Sequence, residues 1–133
     1  MNLDKLTIGA WVHIKGEHER DVQITALLGN YVGVADSAVY ENLDNVEGIT
    51  LTPEFLERNG FKKTKYGYNE QFGDVYKWCL IDDCDDTILT LFKISNGFVA
   101  HLYEGMTLGF QYVHELQLLL EAMGWKYADD IIV

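Results

Sequence analysis

Basic residues are scarce in this chain: 10 lysines and arginines stand against 21 acidic residues, giving a net charge of −11 and a pI near 4.6. That balance argues against non-specific binding to DNA, RNA or an anionic membrane. It leaves plain solubility, or docking onto a basic surface of a partner. No stretch approaches the roughly 18 continuous apolar residues of a membrane helix. The start, MNLDKLTIGAW, lacks a basic segment followed by a long apolar run, so no signal peptide is expected. Cysteine is limited to Cys79 and Cys84, five positions apart around an acidic turn. Reduced thiols in a cytoplasmic protein are the expectation, with a hairpin disulfide as the alternative.

Catalytic and cofactor motifs are also missing. The chain has no G-x-S-x-G, no P-loop and no G-x-G-x-x-G. His13, His18, His101 and His114 form no paired set with zinc-site spacing. His114-Glu115 lacks the second histidine of H-E-x-x-H, because Leu118 stands in its place. No cofactor, no metal and no enzyme is therefore expected. A hydrolase assembled by tertiary proximity around Cys79 or Cys84 is a remaining alternative.

What is present is apolar patterning. Hydrophobic residues make up 48% of the 133, enough for a sizeable core without staples, in a single compact domain. Ala10, Val12 and Ile14 alternate with Trp11 and His13, and Val22, Ile24, Ala26 and Leu28 alternate in turn. With Tyr31 to Ala35 and short edge strands after it, residues 1–50 read as a small, bent SH3-like antiparallel barrel. Residues 51–133 read as a sheet plus two helices. The expected class is α+β.

Both helices have written ends. Thr52 caps a helix with Pro53, the only proline, at its first position and Gly60 at its end. Over Tyr112 to Lys126, Tyr112, Val113, Leu116, Leu119, Leu120 and Met123 fall on one stripe, with Leu118, His114 and Gln117 off it. Gly124 and Trp125 supply a Schellman ending. Between these helices lie three clear strands, Val75 to Ile81, Ile88 to Ser95 and Phe98 to Tyr103, with Asn96-Gly97 as a type I′ hairpin signal. These strands are apolar on both faces and need two covers. The C-terminal helix is expected on one face. The other falls to the N-terminal strands, the first helix or a second subunit, so a homodimer is one possible arrangement.

Two segments are candidate binding sites. The loop Asp82, Asp83, Asp85, Asp86 concentrates four carboxylates, and Asp129 and Asp130 add two near the end. The loop lacks the alternating ligands, glycine and distal glutamate of a calcium loop, so it suits a solvated hairpin tip or a dock for a basic host protein. Lys62, Lys63 and Lys65 with Tyr66 and Tyr68 form the only basic cluster, suited to gripping a phosphate or stacking a base of a small ligand or nucleotide. Lysines just after a helix also suit its C-terminus.

The stretches GITLTPEFLERNGF (residues 48–61) and YVHELQLLLEAMGW (residues 112–125) resemble a group of small uncharacterised proteins encoded mainly in prophages and mobile elements of gut bacteria. The likeness covers about residues 7–126, and the matching residues are structural, so no catalytic residue transfers. It implies a phage or mobile-element accessory protein. Small acidic proteins of that setting often bind a host protein, among them inhibitors of bacterial defence systems.

Overall fold

The computed structural model describes residues 6–71, 73–82, 84–101, 107–125 and 131–133. It is α+β: two five-stranded antiparallel sheets and two short helices. The chain divides into two units. The first holds residues 1–50, 112–131 and 133, and the second residues 51–111 and 132.

In the first unit, β1 (Trp11–Ile14), β2 (Arg20–Leu28), β3 (Tyr31–Val34), β4 (Ser37–Asn42) and β5 (Val46–Gly48) form a sheet ordered β4-β3-β2-β1-β5. A single 3-10 turn, Leu43–Asn45, precedes β5, and the Asn42 side chain accepts from Asp44 N to start it. The alternation of β1 sends Ala10, Val12 and Ile14 into a core with Val22, Ile24, Val32, Val34 and Val46. The alternation expected along β2 fails halfway. A bulge between Ile24 and Ala26 shifts the register against β3, and Leu28 ends about half exposed. One extra residue in a strand is enough to turn every later side chain to the other face.

Helix α2 (Val113–Ala122) belongs to this first unit. It was expected on the hairpin sheet, and the correction has a physical cause. Val113 N donates to Ile49 O (2.9 Å), and Gln117 grips the entry to β1. Its Oε1 accepts from Trp11 N (2.8 Å), and its Nε2 donates to Gly9 O (3.1 Å). The buried face of α2 is accordingly rotated from the one expected. Val113, Leu116 and Leu120 are buried, but so are His114 and Gln117, while Leu119 is half-buried and Met123 exposed. The Schellman ending is present: Gly124 has φ 72°, and Trp125 N donates to Leu120 O.

In the second unit, α1 (Pro53–Arg58) starts at Thr52, whose Oγ1 accepts from Phe55 N (3.1 Å). It ends as its sequence dictates, with Gly60 at φ 92° and Phe61 N on Leu56 O. The sheet that follows is a meander of β6 (Lys62–Asn69), β7 (Gly73–Ile81), β8 (Thr87–Ile94), β9 (Gly97–His101) and β10 (Thr107–Phe110). The β8–β9 loop is Ser95-Asn96, one residue earlier than the I′ signal implied, since Ile94 pairs with Gly97. Gly97 heads β9 at φ 134°, where a β-carbon would run into the Phe110 carbonyl. Asn59 holds Ile132 in this unit: its amide donates to Ile132 O (2.8 Å) and accepts from Ile132 N (2.7 Å).

The two faces of this sheet differ. Register places Trp78, Leu91 and Ala100 on one face, and all three are buried. It places Lys77, Phe92 and Val99 on the other, and these are only half-buried.

Candidate functional site

The acidity of the chain is concentrated in the first unit, which holds twelve acidic and four basic residues, against nine and six in the second. Glu17, Glu19, Asp21, Asp36, Glu41, Asp44 and Glu47 all come from the segment that forms the first sheet. They follow from strand edges and turns: a carboxylate at a turn or on the outer face of a strand keeps its water.

An open groove of about 580 Å³ lies between the β1–β2 loop and the start of β4, lined by Glu17, His18, Arg20, Asp36, Val39 and Glu41 among others. Arg20 is the cation at this groove that is fully engaged. Its Nε donates to Asp36 Oδ2 (2.6 Å) and its Nη2 to Asp36 Oδ1 (3.3 Å) and Glu41 Oε1 (3.1 Å). Its Nη1 donates to the His18 carbonyl (3.0 Å). A guanidinium presents a fixed fork of donors, so this arrangement fixes β2, the β3–β4 turn and β4 in one geometry. The hydrogen bond from Arg20 holds the Asp36 carboxyl below its ordinary value, and the bond from Asp36 raises Arg20 in turn. The side chains of both are partly open to solvent, so the pair aligns the groove more than it stabilises the fold.

A second cleft of about 270 Å³ is lined by His13, Asp21, Glu47 and Thr50 among others. His13 Nδ1 lies 2.9 Å from Asp21 Oδ1, and its Nε2 lies 3.9 Å from both Glu19 and Glu47. An aspartate-oriented histidine is half of a hydrolytic site; the ion-pair partners of both ring nitrogens here are carboxylates, and Thr50 lines the same cleft. Composition pointed to a surplus of acid without locating it. The strand pairing of Ile14 with Arg20 and of His13 with Asp21 and Glu47 is what gathers it around one end of β1.

In the acidic loop, Asp85 and Asp86 are exposed and Asp82 is half-buried. Asp82 Oδ1 accepts from Cys84 N and Asp86 N, each at 2.9 Å, so this carboxylate is spent on holding the turn. Asp85 and Asp86 belong to the same turn, and Asp83, Asp129 and Asp130 lie outside the described residues. The basic segment is a strand, β6, so its side chains part to two faces. Lys63 Nζ sits 4.3 Å over the Tyr76 ring, and Lys65 pairs with Asp74 at 3.1 Å. Tyr66 takes the opposite face, 5.0 Å from Phe92, and the register puts Lys62 there too, opposite Cys79. Tyr68, beyond the bulge that shifts the register after Lys65, pairs with Asp74. Cys79 and Cys84 carry free thiols. Among the described residues no three His, Cys, Asp or Glu side chains stand close enough to hold a metal ion, and no helix is long and apolar enough to cross a membrane. No family model, curated protein or solved structure matches the chain.

Proposed function

We propose that the protein is a non-enzymatic interaction protein whose first unit is an SH3-like barrel that docks a basic surface of a host protein. The observation that carries this reading is the acid of the first unit gathered at one end of β1: Glu17, Asp36 and Glu41 line the groove, where Asp36 and Glu41 take up the charge of Arg20, and Glu19, Asp21 and Glu47 stand around His13 beside it. Val39 and Tyr40 stand largely exposed on the edge strand β4 beside it, giving apolar anchors next to an acidic rim. That combination suits a partner surface with lysines or arginines around an apolar spot. A four-strand meander, β1 to β4, whose fifth strand returns after a 3-10 turn to pair with β1, supports the SH3-like description. Fold alone sets no function, so the weight rests on the carboxylates.

The resemblance to prophage and mobile-element proteins supplies the setting: a cytoplasmic accessory factor that blocks a host protein, with an inhibitor of a defence system as the specific form. The test is capture from gut-bacterial lysate with the wild-type chain and with a Glu17→Gln, Glu19→Gln, Glu47→Gln variant. A host protein held by the first and lost by the second supports the reading. Equal capture by both removes the carboxylates from the account.

A further inference from the structure

The half-open face of the second sheet carries an aromatic row flanked by lysines. Tyr66 on β6, Phe92 on β8 and His101 on β9 stand in line across the strands, with ring centroids 5.0 Å and then 4.7 Å apart. Lys77 on β7 lies beneath them, its Nζ 5.7 Å from the Tyr66 ring. Register adds Lys62, Thr90 and Val99 to this face. Tyr66 is 64% exposed, and His101 is exposed.

Charge separates this face from the rest of the molecule. In a chain with twice as many acidic as basic residues, the described strand positions of this face hold lysines and no carboxylate. Asp74 is on the opposite face, paired with Lys65. Lys62 and Lys77 give this face local partners for an anionic group. The rings stand edge-on or tilted to one another (80° and 50°), so each offers its own face to a base and no two of them form a slot. Separate ring faces without an enclosing wall suit a chain of linked bases better than one free nucleotide, which needs enclosure to bind.

We infer that this face binds single-stranded nucleic acid, with one or two bases stacked on Tyr66, Phe92 and His101 and phosphates against Lys77 and Lys62. The inference stands apart from the acidic-barrel reading, since none of its residues belongs to the barrel. Two lysines give a shallow salt dependence: the log of the association constant should fall against log salt with a slope of about −1.4, at about −0.7 per phosphate neutralised on a single strand.

The probe is a fluorescein-labelled oligothymidine about ten nucleotides long, within the span that such platforms occupy, followed by anisotropy against the full chain at low salt. Binding is expected, weaker for the duplex of the same length. Tyr66→Ala is expected to weaken it about 5- to 150-fold, the equivalent of about 1–3 kcal/mol of stacking per base. Tyr66 is exposed, so its melting temperature should hold. Lys77→Gln should weaken binding and flatten the salt slope by about 0.7. No binding at millimolar protein overturns the inference, as does binding that neither Tyr66→Ala nor Lys77→Gln changes. A dimer in sedimentation that Phe92→Glu dissociates assigns the face to a second copy of the chain and overturns it too.

Discussion

The ring of Tyr112 occupies the space that a β-carbon on Gly48 would fill. Gly48 ends β5, and Tyr112 is the residue before α2, bridged antiparallel through Thr50. This close approach, with Val113 N on Ile49 O, seats the helix against the first sheet. Gly48→Ala should therefore cost about 1–3 kcal/mol, the usual range for overpacking a filled site. In urea melts, combining it with Tyr112→Ala should recover part of the loss. A neutral Gly48→Ala would mean that the ring moves aside freely.

Gln117 joins α2 to β1 through two backbone partners, Trp11 N and Gly9 O. Gln117→Leu leaves a part-buried N–H and a carbonyl with one fewer partner, a loss of about 1–3 kcal/mol. Leu116→Ala should cost about 2–5 kcal/mol from its buried position, and Leu118→Ala, from a half-buried one, about 1. Denaturant midpoints of the three variants check the ranking. Equal losses at Leu116 and Leu118 would show a different buried face.

How far the chain explains itself is clearest along this helix and along β6. Local signals were readable where one residue decides one geometry: Thr52 and Pro53 at a helix start, Gly60 and Gly124 at helix ends, and Ala10, Val12 and Ile14 pointing inward. The partner of α2 was not readable, because its choice rests on Gln117. An amide on a helix looks like a solvated residue until its two backbone partners are known. The β2 bulge was hidden for a related reason: Ala26 and Leu28 keep the hydrophobic alternation that the bulge then overrides. Lys62 to Tyr68 reads as one basic cluster along the chain, yet a strand sends neighbours to opposite faces, so Lys63 and Tyr66 part company.

The pH dependence should show at Asp36. Its folded carboxyl lies below the ordinary value of 3.8 because Arg20 donates to it. A depressed carboxyl contributes stability above its unfolded value and loses it as pH falls through the lower folded value. The melting-temperature gap between wild type and Asp36→Asn should thus be steady at neutral pH and close below about pH 4. A gap that instead widens in acid would contradict the pairing.

The turn at the β7–β8 loop offers a change of opposite sign. Asp85 is the one non-glycine residue with positive φ among those described, at 62°. A side chain there is strained by about 1–2 kcal/mol, part of which glycine relieves. Asp85→Gly should stabilise by about 0.5–1 kcal/mol, whereas Asp82→Ala, which removes the acceptor for two backbone N–H groups, should destabilise by about 1 kcal/mol. Thermal melts of the two variants should move in opposite directions. Two shifts of the same sign would reject this view of the loop.

The acidic barrel as the docking surface is most directly tested by the association rate of the captured host protein, measured at low and at physiological salt. Against wild type, Glu17→Gln, Glu19→Gln, Glu47→Gln should slow association roughly tenfold at low salt, with much of that difference gone when the charges are screened. The loop variant Asp82→Asn, Asp83→Asn, Asp85→Asn, Asp86→Asn should associate at the wild-type rate. A slowed loop variant beside an unaffected barrel variant, or a rate indifferent to salt in all three proteins, would contradict the account.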